Sequence, residues 1–159
     1  MTAAAVSLVE RWAHLYADSK LVSAGVTWVH LTGIVVAGGF AVTTDRASLR
    51  LRPAAAPAPE LARLHEAHRW VLGGLAVTAV SGVFQLFADL HTYLGSAVFW
   101  VKMGLIALLL VNGWVRLTAE RRLEGGAAAA WRRFHLTSAA SLALWFMVLL
   151  AGELLTTVS

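Results

Sequence analysis

Residues 21–43 read LVSAGVTWVHLTGIVVAGGFAVT, with no Asp, Glu, Lys or Arg among them. At 1.5 Å per residue such a run crosses the roughly 30 Å hydrocarbon core of a bilayer as one helix. Three similar runs follow, at 70–90, 97–117 and 134–157, and the charges inside them are few: Asp89, Lys102, Arg116 and Glu153. The pattern predicts an all-α integral membrane protein. Its expected form is an up-down bundle of four transmembrane helices with a short N-terminal interfacial helix.

Composition agrees. Of 159 residues, 58% are hydrophobic and 14% charged, and four spans leave no length for a soluble domain. The expectation is a single membrane domain over residues 1–159, in contact with the lipid bilayer. The chain has no cysteine, which excludes disulfides, thiolate metal sites and c-type haem attachment. The net charge of +4 comes from arginines grouped in loops, a pattern that orients a membrane protein and calls for no nucleic acid.

The loop at 44–69 holds Arg46, Arg50, Arg52, Arg63 and Arg69, and that at 118–133 holds Arg121, Arg122, Arg132 and Arg133 just after Arg116. The N-terminal tail has only Arg11 and Lys20. By the positive-inside rule both loops are cytoplasmic and both termini outside, as expected of a multi-pass protein of a bacterial-type inner membrane. Residues 4–18 place Val6, Val9, Trp12, Ala13 and Tyr16 at helical spacing, which predicts the interfacial helix. Small residues in every span, among them Gly33, Ala37, Gly38, Gly74 and Gly82, predict close helix packing. Trp28, Trp70, Trp100, Trp114 and Trp131 lie near span ends and read as interface anchors, whereas the deeper Trp145 needs a packing or cofactor explanation.

Ionisable groups in a bilayer are costly and mark function. Counting along the spans gives two sets at different depths. An outer set holds Lys102, Glu153 and Gln85, with an ion pair between the first two expected. The histidines form the other set. His30 falls mid-membrane, and His68 and His135 fall at the cytoplasmic mouths of their helices, beside Arg69, Arg132 and Arg133. Two imidazoles from facing helices are the usual axial ligands of haem b, and arginines suit its propionates. With His65 they could instead form a three-histidine metal site. Plain interfacial roles for these histidines stay open.

Three stretches, Trp28-Val-His30-Leu, Phe99-Trp-Val-Lys102-Met-Gly-Leu running on to Asn112, and Trp131-Arg-Arg, resemble the superfamily of small four-helix membrane proteins that includes copper resistance protein D and the HemJ-type protoporphyrinogen oxidases. The resemblance implies functional roles for His30 and Lys102: haem binding and porphyrin oxidation in one branch, copper movement across the inner membrane in the other. Met1, Met103 and Met147 are the only methionines, so the chain lacks a methionine-rich copper path. The leading expectation is a haem b redox protein that passes electrons to a quinone or a membrane partner subunit. The alternatives are copper or small-solute transport through His30, Lys102 and Glu153, and a non-catalytic subunit of a larger complex.

Overall fold

The computed structural model describes residues 3–51, 58–120, 122–123 and 128–158, with side chains over 6–51, 66–120, 122–123 and 129–157. These residues form six helices and no strand: α1 (Ala3–Asp18), α2 (Lys20–Arg50), α3 (Ala58–Ala88), α4 (Leu90–Gly95), α5 (Ala97–Glu120) and α6 (Ala128–Val158). Four of them, α2, α3, α5 and α6, contain segments long and apolar enough to cross a membrane.

The chain turns where its sequence supplies caps. Ser19 breaks α1 from α2 in extended conformation and accepts a hydrogen bond from the Val22 amide. Asp89 does the same for α4, accepting from Thr92, so this carboxylate is a cap. α4 fills most of the expected 91–96 link with a short helix. Beside it, burial lifts the Tyr93 phenol above its ordinary range, and Tyr16 and Asp89 act in the same direction.

α2 is the central helix. Its buried residues are Gly33, Ala37, Ala41, Thr44, Asp45 and Ser48, a stripe of small then polar side chains at helical spacing. The small half meets α3. A Cβ on Gly74 would come 2.6 Å from the Ala37 amide nitrogen, and one on Gly33 would come 2.9 Å from the Gly74 carbonyl oxygen. The two backbones therefore touch, which only glycine at both positions permits. Further along, Phe40 stacks on Trp70 at 5.7 Å, so contacts ascend α2 as they descend α3.

α6 packs on the next face of α2 and also on α5, while α3 and α5 approach each other at isolated points at most. The helices thus stand in the order α3, α2, α6, α5, with the α3–α5 side left open by helix packing. Trp145 fills the centre of this arrangement, 5% exposed against Ala37, Ala41 and Leu109. Its depth is explained by packing. Trp131 is a correction: it is buried with Ala119, Leu123 and Phe134, whereas Trp28, Trp70, Trp100 and Trp114 are exposed like anchors.

The expected stripe on α1 turns toward the bundle. Trp12 donates through Nε1 to the Phe84 carbonyl at 2.8 Å and lies 5.3 Å from its ring. Helix ends also differ from expectation. The first long helix does not stop at Thr43 but runs to Arg50, because Asp45 and Ser48 have a buried partner, Arg116, on a neighbouring helix. The last helix begins at Ala128, ahead of the apolar run from residue 134, and Trp131 is already part of its packed face. Outside, the long helices are strongly apolar. Leu72, Val80, Leu108, Val111, Leu136, Phe146 and Leu150 are all more than half exposed. Water-soluble proteins rarely show apolar surface of that extent.

Candidate functional site

Polar groups gather at two levels of the helix row, one toward α4 and one toward the arginine-rich end.

The α4-side level is built on His30. The ring lies half-buried against Gly82, where a Cβ would come 3.2 Å from Cε1. His30 Nδ1 is 3.1 Å from Ser81 Oγ. Ser81 Oγ also lies 2.7 Å from the Val77 carbonyl and 3.1 Å from the Thr78 carbonyl, which anchors the hydroxyl that orients the ring. Such a partner on one ring nitrogen is what orients metal-ligating histidines.

Helix register brings Lys102 near the level of His30: Trp145 packs at Gly38, and Gly152, beside Lys102, lies about as far along α6 from Trp145 as His30 lies along α2 from Gly38. Lys102 Nζ rests on α6, where a Cβ on Gly152 would lie 3.5 Å away. Glycines on α3 and α6 thus make the room that His30 and Lys102 use. Sequence counting placed these two residues at different depths. They share a level because the starts of α2 and α5 differ in height by about 7 Å, the difference between ten and five residues of helical rise.

The other members of the expected outer set go elsewhere. Gln85 Nε2 donates to Thr27 Oγ1 at 3.4 Å. Glu153 is exposed, and among the described residues no carboxylate lies within ion-pair distance of Lys102.

The level nearer the arginine end was not foreseen. Asp45, 1% exposed, meets Arg116 with Oδ1 3.4 Å from Nε. Arg116 Nη2 donates to Ser48 Oγ at 2.8 Å, and its guanidinium lies 5.4 Å from the Phe134 ring centroid. The Ser48 hydroxyl donates to the Thr44 carbonyl, and Asn112 donates to the Thr137 carbonyl, each at 2.8 Å. Ser138 and Ser141 complete the buried polar lining from α6. Three helices are locked together by charge and hydrogen bonds here. The sequence signal was the 44, 45, 48 spacing that continues the 33, 37, 41 stripe, hidden under a loop-like composition.

The remaining histidines are apart. His135 Nε2 donates to the Leu51 carbonyl at 3.1 Å and closes the end of α2. By α2 register, Trp70 stands at the level of Phe40 and His135 at Leu51. His68, two residues before Trp70, is therefore about 13 Å from His135 along the row by helical rise. His65 lies on α3, but its side chain is outside the described ones. Arg69, Arg132 and Arg133 are exposed. Among the described residues no three His, Asp or Glu side chains gather as a metal site would need.

No family model, no curated protein and no solved structure matches the chain.

Proposed function

We propose that this chain is a four-span inner-membrane protein that holds haem b between its helices and passes electrons to a quinone or a partner subunit. The observation that carries the reading is the pairing of His30 with Lys102. One offers an imidazole oriented by the contact of its Nδ1 with Ser81, with Nε2 as the nitrogen that would ligate iron. The other offers an ammonium with no carboxylate within ion-pair distance among the described residues. A metalloporphyrin answers both, through its iron and its carboxylates. The resemblance to the HemJ-type proteins at the same two positions points the same way. His30 takes over the ligand role first given to His68 and His135, since His135 uses Nε2 on Leu51. When bound, the haem supplies the one-electron chemistry, and the chain supplies ligation, burial and charge. The open α3–α5 side is where a flat macrocycle could reach this level.

The topology we infer is up-down, with the arginine end cytoplasmic and both termini outside. α2, at 31 residues, is about 46 Å long and overshoots the hydrocarbon core, so the Asp45–Arg116 pair falls toward the cytoplasmic boundary.

The test is a visible spectrum of detergent-purified protein, oxidised and then dithionite-reduced. A Soret band with reduced α and β bands, lost in His30→Ala and kept in His135→Ala, supports the reading. Colourless protein from haem-replete cells overturns it.

A further inference from the structure

Between α5 and α6, at the arginine end, lies a hollow of about 410 Å³ on the outer side of the helix row. Small side chains open it: Ala119 from α5 and Ala130 from α6 leave the two helices unfilled there. Trp114 and Val115 form its apolar wall, and Arg122 and Arg133 stand at its rim. Both guanidiniums are exposed, and among the described residues neither has a carboxylate within ion-pair distance. The contrast with Arg116 is instructive. That arginine, on α5, turns inward to Asp45, whereas these two line a hollow to which no acid contributes among the described residues.

A cavity with an apolar wall and two exposed guanidiniums at one end has the polarity of a phospholipid. Arginine binds phosphate oxygens through paired N–H donors, and Trp114, 68% exposed, has the amphipathic ring found at headgroup level. Basic pockets between helices on the cytoplasmic side suit anionic headgroups. We propose that this hollow binds one anionic glycerophospholipid, its phosphate held by Arg122 and Arg133 and its acyl chains running along Trp114 and Val115. The proposal rests on the chain being embedded in a bilayer, but not on haem.

The experiment is native mass spectrometry of the full chain purified into detergent with equimolar phosphatidylglycerol and phosphatidylcholine. Expected is retention of phosphatidylglycerol over phosphatidylcholine, reduced about tenfold or more in Arg122→Gln/Arg133→Gln, since each basic group near the surface is worth several-fold in affinity. Arg122→Lys/Arg133→Lys keeps the charge and recovers part of the retention. Arg46→Gln/Arg50→Gln removes two exposed arginines from the same end and leaves retention unchanged. Equal retention of both lipids, or an equal loss in the Arg46/Arg50 variant, overturns the proposal. So does displacement of the lipid by millimolar inorganic phosphate, which would make this a free-anion site. A chain that stays in aqueous solution without detergent overturns the bilayer reading itself, a result distinct from the others.

Discussion

Arg116 on α5 and Asp45 on α2 meet with Nε 3.4 Å from Oδ1, the carboxylate buried and the guanidinium also bonded to Ser48. Breaking such a pair from one side strands the other charge, and the expected loss is about 3–5 kcal/mol. Asp45→Asn should therefore lower the thermal midpoint in detergent sharply. The double change Asp45→Leu/Arg116→Met removes both charges and should recover most of the loss. If the double variant is as weak as the single one, the pair is not the source of the cost.

Gly74 and its neighbour Gly73 give an internal comparison on α3. A methyl on Gly74 would meet the backbone of α2 at 2.6 and 2.8 Å, while one on Gly73 meets nothing within 4 Å. Gly74→Ala is expected to destabilise by about 1–3 kcal/mol through forced separation of the helices. Gly73→Ala should stay within about 0.5 kcal/mol of the parent. Detergent unfolding of the two variants side by side reads the difference, and equal midpoints would contradict the close crossing.

Ser81 orients the ring of His30 through its 3.1 Å contact with Nδ1. On the haem reading, Ser81→Ala leaves the ligand in place but removes its orienting partner. Haem affinity should fall about 10–100-fold, as for other such partners, while the chain still folds. Titrating haem into apo-protein and following the Soret band measures it. An unchanged affinity would remove Ser81 from the site.

His135 and His30 should behave in opposite ways. His135→Ala opens the hydrogen bond to the Leu51 carbonyl and is expected to cost about 1 kcal/mol of stability with no change in any haem spectrum. A spectrum lost with His135 and kept without His30 would reverse the assignment of the ligand.

Trp145→Ala empties the contact between α2, α5 and α6, and should cost about 3–5 kcal/mol. Trp28→Ala, at a residue 68% exposed, should change stability by no more than about 0.5 kcal/mol. Comparable losses from both would mean that Trp145 is not the central packing residue.

The four long helices were legible because the apolar runs at 21–43, 70–90, 97–117 and 134–157 each have the length and poverty of charge that crossing a bilayer requires. The close crossing at Gly33 and Gly74 was legible in kind, as small residues at fourfold spacing, but not in its partners. The Asp45–Arg116 lock was not legible. Thr43-Thr44-Asp45-Arg46 has the composition of a loop, and the residue that makes Asp45 an interior group lies on a helix far along the chain. Depth was misjudged for a related reason. Counting from the ends of apolar runs treats all helices as level, whereas α2 and α5 start at different heights, which separated His30 from Lys102 on paper and brings them to one level in the fold.

The central place of α2 bears on how the chain is made. α2 and α3 can close on each other through Gly33 and Gly74 as soon as both have left the ribosome. Asp45 and Ser48 must wait longer, because Arg116 follows Ser48 by 68 residues. Until α5 arrives, the nascent hairpin carries a bare carboxylate on the face that α6 will cover. A chain arrested before α5 is thus chemically marked as unfinished, and membrane proteases that recognise exposed polar groups in helices have a feature by which to tell it from the completed protein.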